Sequence, residues 1–343
     1  MTERSVLILM AAFNGGKYIA EQIESIRGQT MPAWKLMIKD DGSTDDTIII
    51  AKHYASLDKR IHLVEGEHTR LGPVRNFSWL MKRAQQTHES YVAFADQDDV
   101  WDEDKLNVQF QDMVNLEGKY GKHVPLLVHS DLEVVDENMR TIHPSFARYQ
   151  NMRHPETKDI RTLIVQNVAV GNTIMINRQL LDIAVPIPEN AYMHDWWLVL
   201  CAVVFGGLFY NHRQLNKYRI HAHNVTGVLG YRSAINPLKL SLFKRLQKMN
   251  GIYIASLQQA NALRERIKSR SADFPQIRNI NEHAKVIDEF LAIRQLPFFQ
   301  RPYQLMKTNI RRQTRLLTIL LFLQSISNGL LKKKGDLSKQ QTE

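Results

Sequence analysis

The sequence predicts an α/β protein: a mostly parallel sheet flanked by helices, followed by an α-helical C-terminal region. Four apolar runs of strand length, Ser5–Ala12, Trp34–Lys39, Ile61–Val64 and Tyr91–Ala95, alternate with stretches whose apolar residues recur at helical spacing. Each run is followed within three residues by glycine, asparagine or aspartate, residues suited to the turns between strands and helices. From about Tyr231 helical patterns dominate, with Pro275, Pro297 and Pro302 marking breaks. The expected division is therefore 1–230 and 231–343.

Ser5–Ala12 is apolar throughout, as a strand buried on both faces must be, and Phe13-Asn-Gly-Gly16 ends it. Ile19, Ile23 and Ile26 then mark one face of a helix that Gly28 stops. After Trp34–Lys39, Gly42 permits a sharp turn and Ser43 or Thr44 is placed to cap a helix over Thr47–Tyr54. Asp41, left at the strand end, is suited to accept hydrogen bonds from a ligand, while the plainer alternative has Asp40 and Asp41 only capping that helix. Phe77, Leu80, Met81 and Ala84 outline a third helix, and Arg75 near its start would add charge to a phosphate site or simply face solvent.

The fourth strand runs into Asp96, Asp98 and Asp99. Three close carboxylates repel one another unless a cation or hydrogen-bond donors offset them, and hard oxygen ligands suit Mg²⁺ or Mn²⁺. The alternative is a solvated acidic turn before a helix near Glu103, with Asp102 as its N-cap.

Composition narrows the classes. With 343 residues, 44% hydrophobic and 23% charged, the chain is globular rather than disordered. The single cysteine, Cys201, excludes an intrachain disulfide framework, and Met1-Thr-Glu-Arg-Ser-Val lacks a signal-peptide pattern, so a cytoplasmic protein is expected. Residues 231–343 carry 21 Lys+Arg against 7 Asp+Glu, whereas residues 1–230 carry 24 against 28. A basic C-terminal part on a slightly acidic body points to an anionic partner surface. Nucleic acid is disfavoured because no interleaved aromatic or zinc pattern accompanies the basic residues. The apolar run Leu316–Leu323, between Arg311, Arg312 and Arg315 on one side and Lys332–Lys334 on the other, fits a helix on a bilayer surface or a buried C-terminal helix. Trp196–Tyr210, 15 residues without charge, is too short for a spanning helix.

Neither G-x-x-x-x-G-K-[ST] nor G-x-G-x-x-G follows a strand. Instead, Val6-Leu-Ile-Leu-Met-Ala-Ala-Phe-Asn14, Ser25-Ile-Arg-Gly-Gln-Thr30, Lys39-Asp-Asp-Gly-Ser-Thr-Asp45 and Ala95-Asp-Gln-Asp-Asp-Val-Trp101 occur in that order. Together they resemble family 2 glycosyltransferases of the GT-A fold, over roughly residues 5–227. The resemblance implies an inverting transferase that uses a nucleotide-diphosphate sugar and Mn²⁺ or Mg²⁺. It places Ala12, Phe13, Asn14, Asp41 and Asp96 at the nucleotide; Arg75, a nucleotide candidate from its place at the start of a helix, stands where the family carries a small residue. Asp98, Asp96 and His221 fall at the metal, the last within Tyr218-Arg-Ile-His-Ala-His-Asn224. Met193-His-Asp-Trp-Trp197 matches the catalytic-base position, which falls on Asp195, and Val170-Gly-Asn-Thr-Ile-Met-Ile-Asn-Arg178 resembles the approach to the acceptor region. Asp99, His194, Trp196 and Trp197 are the expected donor- or acceptor-sugar contacts. Relatives with Asp-Gln-Asp-Asp-Val-Trp are often rhamnosyltransferases using dTDP-rhamnose in surface polysaccharide assembly. A lipid-linked glycan acceptor, peripheral membrane contact and self-association are the partners expected.

The residues themselves keep other readings open. Asp195 precedes an apolar run and equally suits an N-cap, and only one of His221 and His223 can face a site if the stretch is extended. A sugar-1-phosphate nucleotidyltransferase is a second enzyme class, for which Phe13-Asn-Gly-Gly-Lys17 is a poor phosphate loop. A non-catalytic nucleotide- or glycan-binding protein is the third.

Overall fold

The computed structural model describes residues 5–64, 70–221, 224, 242–277 and 279–326. The boundary expected at 230/231, His223 and Lys332–Lys334 lie outside the described residues.

β1 (Val6–Ala12), β2 (Trp34–Asp40), β3 (Ile61–Leu63) and β4 (Tyr91–Asp96) form at the four apolar runs. They pair in parallel in the order β3-β2-β1-β4. α1 (Ile19–Arg27), α2 (Thr47–Leu57) and α3 (Pro73–Ala84) are the connecting helices. α1 buries Ile19, Ile23 and Ile26, the residues whose spacing announces it, and Gly28 closes it. Alternate residues of β1 serve opposite sides of the sheet: Leu7 and Leu9 join one core, Val6, Ile8 and Met10 the other.

The expected sheet flanked by helices forms, parallel from β3 to β4 and mixed beyond β4. The remaining strands are β5 (Val100–Trp101), β6 (Leu126–Val135), β7 (Thr141–His143), β8 (Ile174–Asn177) and β9 (Gly207–Arg219). β8 runs antiparallel to both β4 and β6, β9 parallel to β6, and β5 antiparallel to β9. Apolar runs mark strands, but direction here is set by pairings distant in sequence, such as Val92 with Ile176.

α4 (Lys105–Tyr120) follows β5, and the short helices α5 (Phe146–Tyr149), α6 (Ile160–Leu163) and α7 (Arg178–Ala184) lead to α8 (His194–Phe205). All twelve residues of α8 are buried. A helix apolar on every side must be covered on every side. One core joins its Leu198 with Phe94 of the sheet and with Tyr253, Leu263 and Phe290 of the C-terminal helices Leu242–Arg270 and Ile280–Ile293. The uncharged run Trp196–Tyr210 is thus a core helix leading into β9. Among the described residues no helix is long and apolar enough to cross a membrane. Arg266 fastens the long helix by donating to Val185 O at 3.0 Å and Pro186 O at 2.8 Å.

Candidate active site

β1, β2 and β4 end side by side, with Ala12 opposite Asp40 and Ala11 opposite Asp96. Phe13, Asp41 and Asp96 therefore leave the sheet at one edge, where open α/β sheets bind ligands. Gln97 folds back on the first turn: Phe13 N donates to its Oε1 at 2.8 Å and its Nε2 donates to Phe13 O at 2.8 Å. Gly15 suits this clamp, because a Cβ there would stand 2.2 Å from Gln97 Oε1. Asn14, at φ 49°, is braced by Ser43 Oγ, which accepts from Asn14 N at 2.8 Å, and by Thr44 N, which donates to Asn14 Oδ1 at 2.9 Å. Ser43 and Thr44 therefore hold the first turn and do not cap α2, whose first N–H, on Thr47, donates to Asp45 Oδ1 at 3.1 Å.

Asp41 is buried at the end of β2. Its two oxygens accept from Leu71 N at 2.8 Å and Gly72 N at 2.7 Å, tying the loop before α3 to the sheet. Asp40 organises its own turn, with Oδ2 accepting from Gly42 N and Ser43 N. Arg75 stands exposed in the first turn of α3, while the Arg70 guanidinium lies over the Phe13 ring at 4.0 Å.

The acidic turn is closed from above by the segment after β9. His221 Nε2 is 2.8 Å from Asp98 Oδ2. Arg219 donates from Nε to Asp98 O at 3.0 Å, from Nη1 to Glu137 O at 2.9 Å and from Nη2 to the Glu21 carboxylate. Asn224 steadies the segment, accepting from His221 N at 2.6 Å and donating to Arg219 O at 3.0 Å. Asp99 points inward, fully buried, accepting from Arg219 N at 3.1 Å and from Asn172 Nδ2. Lys105 lies behind it, donating to Asn172 O at 2.9 Å and Asn216 Oδ1 at 3.1 Å.

Burial dominates the electrostatics. It lifts Asp96 to about 7, helped by the negative charges of Asp98 and Asp195, so Asp195 makes itself felt at the acidic turn. Burial also lifts Asp195 to about 7, against the opposing pull of hydrogen bonds from the Trp196 and Gly171 N–H groups and the Asn167 side chain. Asp99 is raised well above the carboxylate range by burial and then by Asp98 and Asp96. Lys105 is lowered to about 7 by burial, despite the charges of Asp99 and Asp102.

Four expected sugar contacts are corrected. Trp196 and Trp197 are core residues whose indole N–H groups donate to Leu163 O at 2.7 Å and Ala184 O at 2.8 Å, because α8 is covered on all sides. His194 is buried and stacked on Phe77 at 3.9 Å, and burial pushes it down to about 3, so it is neutral at pH 7 and does not oppose the rise at Asp195. Asp99 is occupied as described. The sequence reading gave no role to Gln97, Lys105, Asn167, Asn172 or Arg219. Gln97, Asn172 and Arg219 sit inside the quoted motifs, whereas nothing local flags Lys105 or Asn167.

Asp98 and His221 offer a carboxylate and an imidazole at one place, and Asp96 is near enough to feel the charge of Asp98. Among the described residues no three acidic, histidine or cysteine side chains stand as a ready-made metal cage. The donor set fits a cation that takes one or two protein carboxylates and completes its shell with water and phosphate oxygens.

The family model for glycosyl transferase family 2 matches residues 7–182. The chain belongs to glycosyl transferase family 2. The matched span contains the first turn, Asp41 and the acidic turn, and stops short of Asp195 and His221. Among relatives, TuaG of Bacillus subtilis (strain 168), named for teichuronic acid biosynthesis, is 36% identical over 110 residues, which is 32% of this chain and 42% of TuaG. The dTDP-rhamnosyl transferase RfbG of Shigella flexneri is 26% identical over 227 residues, 64% of this chain and 73% of RfbG. A solved mannosyltransferase, PcManGT from Pyrobaculum calidifontis, in complex with GDP-Man and Mn²⁺, superposes with a TM-score of 0.51 at 12% identity. That alignment covers 97% of this chain and 89% of PcManGT, and the described residues show the GT-A-type sheet flanked by helices, with C-terminal helices packed on it.

Proposed function

We propose that this family 2 chain is an inverting glycosyltransferase that moves a sugar from a nucleotide-diphosphate donor to a hydroxyl of a growing surface glycan. The observation that carries the reading is the nearness of the α8 carboxylate to the acidic turn: Gly171 N–H bonds Asp195, the neighbouring Asn172 bonds Asp99, and the charge of Asp195 is felt at Asp96.

In this reading the nucleotide lies along Ala12–Asn14 and the Asp41-anchored loop, with Asp96 toward its ribose and Arg75 or Arg70 toward its phosphates. Asp98 and His221, with Asp96 beside them, would hold Mn²⁺ or Mg²⁺. Such a cation supplies Lewis-acid stabilisation of the departing diphosphate. Asp195 takes the proton of the attacking hydroxyl, a contribution of about 10²–10⁴-fold in rate. Its value near 7 suits the task, since a base works best when its pKa lies near the operating pH. Gly171, Asn167 and Trp196 aim its carboxylate, and Arg219 holds the acidic turn in shape. The likeness to RfbG supports L-rhamnose from dTDP-rhamnose as the first donor to try, and the Mn²⁺ complex of PcManGT supports the metal. The basic C-terminal region supports a lipid-linked acceptor reached at the cytoplasmic membrane surface.

The test is incubation with a panel of nucleotide sugars and Mn²⁺, reading nucleoside diphosphate and glycosylated product. Metal-dependent diphosphate release that disappears in Asp195→Asn is the expected result. Release of pyrophosphate from a nucleoside triphosphate and a sugar phosphate would move the chain to the nucleotidyltransferases, and nucleotide binding without turnover of any donor would make it a binding protein.

A further inference from the structure

A cavity of about 600 Å³ lies between the segment before α6 and the start of the last helix, 315–326, apart from the acidic turn. Arg311, Arg312, Arg315 and His154 line it, together with Thr157 and Thr314. Arg312 is only 8% exposed, and its Nε and Nη2 are fixed on Val165 O at 3.1 Å and Gln324 Oε1 at 3.2 Å. Burial lowers it to about 10, so it remains a cation at neutral pH, held in the wall with much of its hydration removed. Asp159, the one acid in the lining, has Oδ1 accepting from Arg161 N at 3.0 Å. Three arginines against one carboxylate make this a place for an anion, and guanidinium forks suit phosphate.

The rim identifies what carries the phosphate. Ile319 lines the cavity and is 54% exposed. Leu316 and Leu323 share its helix face at i−3 and i+4 and are exposed as well, while Leu321, Gln324 and Ser325 face inward. The neighbouring helix Arg301–Lys307, joined to this one by Arg301 Nη1 donating to Ser325 O at 3.1 Å, also exposes Tyr303 and Met306. An apolar stripe bordered by arginines matches the boundary between headgroups and acyl chains, whereas a free phosphate would need no such stripe.

We propose that this cavity binds the phosphate headgroup of an anionic membrane lipid, with Leu316, Ile319 and Leu323 resting against the acyl boundary. The assignment rests on the membrane-surface reading given above and makes it specific to a site. It also joins that site to the chemistry. Arg312 holds Val165 O, Gln313 N donates to Gln166 Oε1 at 2.9 Å, and Asn167 bonds the Asp195 carboxylate. Residues 165–167 thus run from the cavity wall to Asp195, so docking would bring that side of the cleft toward the bilayer.

The test is co-sedimentation of the full chain with vesicles of phosphatidylcholine alone or with added phosphatidylglycerol, at fixed ionic strength. Binding that requires phosphatidylglycerol is expected. It should fall roughly ten- to thirtyfold in Arg311→Ala/Arg315→Ala, at about fivefold per arginine near an anionic surface, and also fall in Ile319→Asp. Donor turnover in solution should be unchanged in these variants. If wild-type protein ignores phosphatidylglycerol vesicles, both the cavity assignment and the membrane-surface reading fail. Binding that survives these substitutions but is lost when Lys332, Lys333 and Lys334 become alanine overturns the cavity assignment alone. Thermal stabilisation by inorganic phosphate without vesicle binding would give the cavity to a free phosphate and overturn the lipid.

Discussion

His221 Nε2 lies 2.8 Å from Asp98 Oδ2, although 123 residues separate the two in sequence. The contact depends on β9 carrying the chain back over the acidic turn and on Arg219 and Asn224 holding the segment there. Whether His221 binds the cation or only orients Asp98, its loss loosens the same site. We expect His221→Ala to weaken Mn²⁺ about 10–100-fold and Asp98→Asn to weaken it further. Thermal shift with nucleoside diphosphate, titrated with Mn²⁺, measures this directly. Unchanged Mn²⁺ dependence in both variants would remove these residues from the metal site.

Asp195 presents a different expectation, because its side chain is assigned to the acceptor and not to the donor. Asp195→Asn should lower kcat by about 10²–10⁴-fold while leaving the donor's affinity close to that of the wild type. Calorimetry with the donor nucleotide and a turnover assay on the same preparation separate the two. A parallel loss of nucleotide binding would place Asp195 at the donor instead.

The pH profile follows from the same group. A general base acts only when deprotonated, so kcat/KM should rise with pH through about 7 and level off above it. Stability runs the other way. The folded value lies above the ordinary 3.8, so the folded state binds more protons than the unfolded one between about 4 and about 7, and stability falls as pH rises across that window. Asp195→Asn removes this contribution, and its denaturation midpoint should fall less than that of wild type over the window. Identical midpoint shifts in the two proteins would show that Asp195 is not held protonated by burial.

Much of this arrangement was legible in the sequence. The four apolar runs gave β1 to β4, and the turn residues after them gave the edge where Phe13, Asp41 and Asp96 leave the sheet, because a strand buried on both faces is apolar throughout and ends at polar turn residues. Asp98 with His221 and Asp195 with the acidic turn were legible only through a family likeness, since the contacts are long-range. What composition concealed was orientation. Trp196 and Trp197 look alike as sugar platforms and as core residues until the C-terminal helices are seen to cover α8. Asp99 differs from Asp98 by one position, yet Asn172, with Lys105 behind it, fills the space that makes it a buried structural acid.

The covered state of α8 gives the last expectation. Trp197 is fully buried, its indole N–H donates to Ala184 O at 2.8 Å, and the Arg266 guanidinium stands 5.5 Å from its ring. Trp197→Ala would leave a cavity and an unpaired buried carbonyl, a loss of about 3–5 kcal/mol. Were Trp197 a sugar platform, the same change would raise the KM for donor or acceptor and leave stability nearly intact. Urea denaturation alongside kinetics at a temperature where the variant remains folded distinguishes these outcomes. We expect a large fall in midpoint with KM little changed, because the ring is fully buried between Ala184 of α7 and Arg266 of the long C-terminal helix.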